Sequence, residues 1–144
     1  KTGLIVARAI LFTDVTDQDG KKWRLLERQY SSEGDDVLKR LLVDKLIQED
    51  YIDGYKVIGA SCHDATSFVD VCGNSLSDRK FEIDCELELE DTLSYQDSFK
   101  WYSYNQNKAY NYENSWTSYN LDTTDLNLYG DDDEDDGEWD DYHQ

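Results

Sequence analysis

Hydrophobic and polar positions divide the chain into two regions that follow different rules. Up to residue 90, apolar side chains recur with the periods of regular structure; beyond it, aliphatic residues become sparse. Residues 3–14, GLIVARAILFTD, open apolar and β-branched and then alternate, which predicts a largely buried strand. The Asp19-Gly20 step that follows suits a turn with positive φ, so 21–31 is expected to return as the second strand of a hairpin. On that strand Trp23, Leu25, Glu27 and Gln29 share one face, and Arg24, Leu26, Arg28 and Tyr30 share the other.

A helix is expected from Ser32. Ser32 with Asp35 has the form of a capping box, and Asp35 and Asp36 suit the positive end of the helix dipole. Val37, Leu38, Leu41, Leu42, Leu46 and Ile47 recur at helical spacing, with Lys39, Arg40 and Asp44 on the wet side. Asp53-Gly54 is expected to end it, with Gly54 as a left-handed cap. Strands follow at 55–62 and 66–72. The clearest alternation is at 80–90: Phe81, Ile83, Cys85, Leu87 and Leu89 point one way, and Glu82, Asp84, Glu86, Glu88 and Glu90 the other. The predicted order is β-β-α-β-β-β, an α+β domain over 1–91 with an antiparallel sheet and one covering helix. That topology is shared by many unrelated domains and carries no function by itself.

Residues 92–120 set Tyr, Trp and Phe among Asn, Ser and Gln. Phe99 to Tyr104 and Ala109 to Trp116 can alternate as the strands of a hairpin around 105–108, or form an extension without regular structure. Residues 121–144 form an acidic tail containing DDDEDDGEWDD.

Charge sharpens this division. Up to Phe81 there are 12 Lys and Arg against 14 Asp and Glu, a net of −2; from Glu82 onward there are 2 against 19, a net of −17, and together these give the chain's −19. Such a field repels nucleic acid and anionic membrane and attracts basic proteins. Same-face residues on a strand lie about 6.7 Å apart, so five carboxylates make a row about 27 Å long. A single DNA strand carries a phosphate every ~3.4 Å, so the row needs a second set of acids to imitate a duplex. Asp131 to Asp141 are the natural source, with Asp91 and Asp97 as further candidates.

The candidate partner-binding residues are therefore of two kinds. Glu82, Asp84, Glu86, Glu88, Glu90, Asp131, Asp132, Asp133, Glu134, Asp135 and Asp136 would steer encounter with a basic groove. Trp101, Tyr102, Tyr104, Tyr110, Tyr112, Trp116, Trp139 and Tyr142 would anchor the complex, because Tyr and Trp bury much area at small entropic cost. A charged wet strand face, a second small aromatic core and a solubility tail are the ordinary explanations of the same residues.

Catalytic and metal chemistry find little support. Only His63 and His143 occur, there is no G-x-S-x-G or phosphate loop, and Cys62 and His63 as strand neighbours would point apart. An EF-hand register around Gly20 places Val15 and Leu26 at ligand positions, and one around Gly137 ends on His143 instead of Glu. Cys62, Cys72 and Cys85 match neither a zinc spacing nor a disulfide framework, and read as thiols in a reducing, cytoplasmic compartment. No cofactor is expected, and no run of 18 apolar residues exists to cross a membrane.

The functional expectation is a non-catalytic acidic inhibitor or nucleic-acid mimic. Its partner would be a basic, nucleic-acid-handling protein, as for phage or mobile-element counter-defence and immunity proteins. The alternatives are a structural or assembly component of a virion or multi-subunit complex, and an acidic chaperone of basic proteins.

Overall fold

The computed structural model describes residues 3–85, 97–103 and 106–113, and the backbone of 118–120. The fold is α+β, with one α-helix and a mostly antiparallel sheet. Its strands are β1 (Ala7–Arg8), β2 (Leu11–Thr16), β3 (Lys22–Leu26), β4 (Tyr30–Ser31), β5 (Gly54–Lys56), β6 (Phe68–Asp70), β7 (Glu82–Asp84), β8 (Trp101–Ser103), β9 (Lys108–Tyr110) and β10 (Ser118–Asn120). The helix α1 (Asp36–Gln48) lies between β4 and β5. Eight strands form one sheet in the order β10-β8-β9-β7-β2-β3-β5-β6, while β1 and β4 make a separate two-stranded ribbon.

The predicted hairpin is present but forked. Its turn is closed by Gly20 N–H donating to the Asp17 carbonyl at 3.0 Å, with Gly20 at φ 85°. Each predicted strand splits in two: β2 and β3 stay in the large sheet, whereas β1 and β4 peel away together. The pairing of β2 with β3 also slips between Phe12 and Val15, the kind of irregularity that bends a strand.

One departure from the antiparallel expectation has a simple cause. β3 and β5 pair parallel, Leu25 opposite Gly54 and Leu26 opposite Tyr55. The chain between them contains β4 and α1, a crossover long enough to return it in the same direction. β3 is thereby buried on both sides. Leu25 faces a core of Val15, Trp23, Phe68, Leu76, Phe81, Ile83, Cys85, Phe99, Tyr102 and Ala109; Leu26 faces Val43, Ile52 and Tyr55 under the helix. Phe81 meets both Trp23 and Phe68 edge-on, each at 6.0 Å between ring centroids. Since Phe68 is on the outermost strand at one end and Phe81 abuts β7, the sheet curls around this core.

The helix starts later and faces differently than its sequence suggests. Glu33 and Gly34 adopt left-handed φ of 62° and 67°, confining Ser32–Gly34 to a 3₁₀ turn. The cap is consequently Asp35, whose carboxylate accepts from the Val37 N–H at 2.8 Å. Asp50 takes the left-handed position after the helix, at φ 62°, and Gly54 begins β5 instead of capping. Val37 and Leu41, expected inside, are 66% and 58% exposed, whereas Lys39 is buried along with Val43. Lys39 lays its aliphatic stem against the protein while its ammonium reaches Asp36 at 3.2 Å.

Gly54 has a packing role. A Cβ there would lie 2.8 Å from the Val69 carbonyl oxygen and 2.9 Å from Leu25 Cδ2. Gly54→Ala is expected to cost about 1–3 kcal/mol through overpacking. Urea unfolding checks this, and a midpoint equal to that of the wild type would refute it.

Candidate functional site

The candidate binding residues that lie among the described ones, Glu82, Asp84, Trp101, Tyr102, Tyr110 and Tyr112, are on or beside β7, β8 and β9. Phe81, Ile83 and Cys85 are buried as the alternation requires, and Glu82 and Asp84 point to the other face. The aromatic hairpin also exists: β8 and β9 pair antiparallel, Trp101 opposite Tyr110 and Ser103 opposite Lys108, with Asn107 at φ 57° in the turn. It continues the same sheet, because β9 pairs with β7, and Phe99, Tyr102 and Ala109 join the main core.

Cross-strand register brings acids and aromatics into one row. Glu82 is opposite Tyr110, and Tyr110 is opposite Trp101. Directly opposed residues share a face, so this row lies on the side away from Ile83, Ala109 and Tyr102. Trp101 and Tyr112 are half-buried. The Tyr112 ring meets Tyr110 edge-on at 5.3 Å and has the Lys80 ammonium 5.5 Å from its centre. Burial, then the Glu82 charge, then Tyr110, raise the Tyr112 phenol above its ordinary value.

Two of the expected anchors are not presented at the surface. Tyr102 is 2% and Tyr110 1% exposed. Tyr102 points into the main core and its hydroxyl donates to Asn107 Oδ1 at 2.5 Å; Tyr110 donates to Gln106 Oε1 at 2.7 Å. The expected acid row is also partly discharged. Lys108, on the neighbouring strand, sits 2.5 Å from Asp84 and 3.4 Å from Glu82. Its hydrogen bond and charge hold the Asp84 carboxyl below the usual carboxylate range. Glu86, Glu88, Glu90, Tyr104, Trp116, Asp131, Asp132, Asp133, Glu134, Asp135, Asp136, Trp139 and Tyr142 lie outside the described residues.

The basic residues of the first hairpin are engaged internally. Arg24 binds Asp53 through two nitrogens, each at 2.8 Å, and Asp50 at 3.0 Å; Lys22 binds Asp14 at 3.0 Å. Cys62 and Cys85 are buried thiols and Cys72 is an exposed one. Among the described residues, no three of His, Cys, Asp and Glu are grouped to hold a metal, and no helix is long and apolar enough to cross a membrane.

A second cluster went unanticipated. Glu27, Lys56 and Ser98 are fully buried, and Gln29 nearly so. The Ser98 N–H donates to Glu27 Oε2 at 3.0 Å and its hydroxyl to Oε1 at 3.1 Å. The Lys56 ammonium donates to Ser98 Oγ, to the Asp64 carbonyl at 2.6 Å and to the Ser61 carbonyl at 3.2 Å, with Glu27 Oε1 3.4 Å away. Gln29 Nε2 bridges the carbonyls of Glu27 at 3.1 Å and Lys56 at 2.9 Å. Beside them Asp97 holds a left-handed φ of 56°. Burial, then the charge of Glu27, push its carboxyl up to about 8, against the pull of Lys56, Arg28 and Arg8.

A signal for this cluster was present in the sequence. Glu27 and Gln29 continue the period-two face of Trp23 and Leu25, so an apolar face carries on into polar residues that must find partners inside. Lys56 gave no such warning, because its burial depends on β5 being an interior strand flanked by β3 and β6. Buried charges with shifted titration mark functional sites and structural ion networks alike. Here Lys56, Ser98 and Glu27 have no exposed surface, and their hydrogen bonds pin together the segments that carry them. Comparison with protein-family models, curated proteins and solved structures finds no match for this chain.

Proposed function

We propose that this chain is a non-catalytic acidic binding protein that occupies the cationic groove of a nucleic-acid-handling protein, acting as an inhibitor or nucleic-acid mimic. The observation that carries this reading is the net −17 gathered after Phe81, against −2 before it. Two structural features support it. The aromatic hairpin is built into the sheet beside β7, so Tyr110 lies opposite Glu82 and Trp101 opposite Tyr110. The Glu27–Lys56 ion pair and the Ser98 hydroxyl between them have no exposed surface, an arrangement suited to holding a scaffold and not to turnover. Because Lys108 offsets Glu82 and Asp84, the electrostatic drive falls to Glu86, Glu88, Glu90 and the acids of 131–136.

The test is competition with duplex DNA for a panel of basic nucleases, polymerases and repair proteins, at about 0.05 and 0.3 M salt. Exposed charges are screened beyond ~10 Å at 0.1 M, so affinity for the true partner is expected to fall about tenfold or more across that range. Reversing Asp131, Asp132, Asp133, Glu134, Asp135 and Asp136 to Lys should abolish competition. Affinity that ignores both salt and charge reversal would refute the proposal.

A second reading, an assembly component, is favoured by one observation. Leu4, Ile5 and Val6 are exposed at the start of the chain, and Val37 and Leu41 on the helix. Deleting 121–144 separates the two: assembly through the folded region survives, whereas inhibition is lost.

A further inference from the structure

We propose that Asp97 is a proton-operated latch: neutral, it lets residues 97–99 stay clamped to the Glu27–Lys56 pair, and ionised, it loosens that clamp and frees the aromatic hairpin from the β3–β5 end of the sheet. The inference stands apart from the partner reading, since it concerns only how the hairpin is held.

Geometry carries it. The clamp is already saturated for one carboxylate. Both donors of Ser98 are committed to Glu27, and the three protons of Lys56 are taken by Ser98 Oγ and the carbonyls of Ser61 and Asp64. Nothing in it is left to receive a second anion. Consistent with this, among the described residues the Asp97 Oδ1 atom is buried without a hydrogen-bond partner. The side chain is nonetheless held there by backbone. Asp97 is left-handed, a conformation Asp and Asn tolerate better than other residues with a side chain. Its neighbours Ser98 and Phe99 are completely buried.

The charged and titratable groups facing Asp97 come from several elements. Glu27 and Arg28 lie in the link from β3 to β4, Lys56 on β5, Arg8 on β1 and Tyr30 on β4. Arg8 and Arg28 each stack on the Tyr30 ring at 4.8 Å, and their guanidiniums favour the ionised carboxyl. Removal from water and the nearby Glu27 charge outweigh them. Burial first, then Cys62 and Asp97, hold the Tyr30 phenol above its usual range, so it stays neutral through the same window.

The sign follows from linkage. Clamped, the carboxyl titrates at about 8; released, it returns to its ordinary 3.8. Between those values the clamped state keeps a proton that the released state gives up. Closure is therefore fully favoured below 3.8, weakens about tenfold per pH unit as pH rises, and levels off above 8. The latch is tight in mild acid and loosened at neutral to alkaline pH.

Hydrogen exchange of the intact chain reads this directly. Protection of the Ser98 and Phe99 amides, corrected for intrinsic exchange and referred to the Val43 amide in the helix, is expected to fall at least about tenfold between pH 5 and pH 7.5. Asp97→Asn keeps the left-handed preference without the charge, so its profile should be flat and its protection at pH 7.5 higher than wild type. A flat wild-type profile, or parallel profiles for the two proteins, overturns the latch. A measurement on the wild type alone covers the case in which the variant does not fold. The Asp97 carboxyl carbon shift should titrate with a midpoint above about 6, and a midpoint below that, toward ordinary carboxylates, also overturns it.

Discussion

Lys56→Met is expected to destabilise the protein by about 3–5 kcal/mol, the usual cost of removing one partner from a buried ion pair. Met fills much of the volume of the Lys stem, so packing loss is a minor part. The damage is electrostatic. Glu27 would remain fully buried with its charge uncompensated, and the carbonyls of Ser61 and Asp64 would each lose a donor. The Ser98 hydroxyl would lose the donor that completes its position between Lys56 and Glu27. Urea unfolding at pH 7 measures the effect, and a loss below about 1 kcal/mol would show that the cluster is hydrated instead of sealed. Adding Glu27→Gln to Lys56→Met should recover part of the loss, because the remaining neighbour is then neutral. Full recovery is not expected, since the Ser98 and Arg28 amides depend on the Glu27 carboxylate oxygens.

Phe99→Ala should be similarly severe, about 3–5 kcal/mol from lost burial and the cavity left behind. Phe99 has no exposed surface, and its ring meets Phe12 edge-on with centroids 4.9 Å apart. It is adjacent to Ser98, so the polar clamp and the apolar plug secure one short stretch of chain. Once either fails, the other has less left to hold. The double variant Lys56→Met/Phe99→Ala is accordingly expected to lose less than the sum of its parts. A double-mutant cycle by urea unfolding decides this; strict additivity would mean that the two act on separate units.

What was legible in the sequence was local and periodic. Trp23, Leu25, Glu27 and Gln29 are all buried, Phe81, Ile83 and Cys85 do point inward, and β8 and β9 in the aromatic tract do pair as a hairpin. Each of these depends only on a strand's two-residue repeat and a turn-forming tetrad. Errors arose where burial depends on neighbours far away in the chain. Tyr102 and Tyr110 look like exposed anchors in a polar setting, yet β8 and β9 enter the main sheet beside β7 and both rings are buried, Tyr102 in the main core and Tyr110 on the opposite face. Lys39 sits on a helix face that looks wet until β1 and β4 are recognised as a ribbon beside that helix. Of the candidate binding residues, cross-strand register sets Glu82 opposite Tyr110 and Tyr110 opposite Trp101, a row that no single strand's alternation names. The pairing of Lys108 with Glu82 and Asp84 was missed because the alternation of 80–90, taken alone, names no partner strand.

The strand order also has a consequence for biosynthesis. β2 pairs with β3 on one side almost at once, but its other side waits for β7, with Thr16 opposite Glu82. At about 5–20 residues per second on the ribosome, the 66 positions from Thr16 to Glu82 (82 − 16) take about 3–13 s to emerge. Throughout that interval the nascent hairpin offers an open row of amides and carbonyls to any neighbouring chain. The half-made sheet is thus left with an open edge before the anionic segment after Phe81 has been translated.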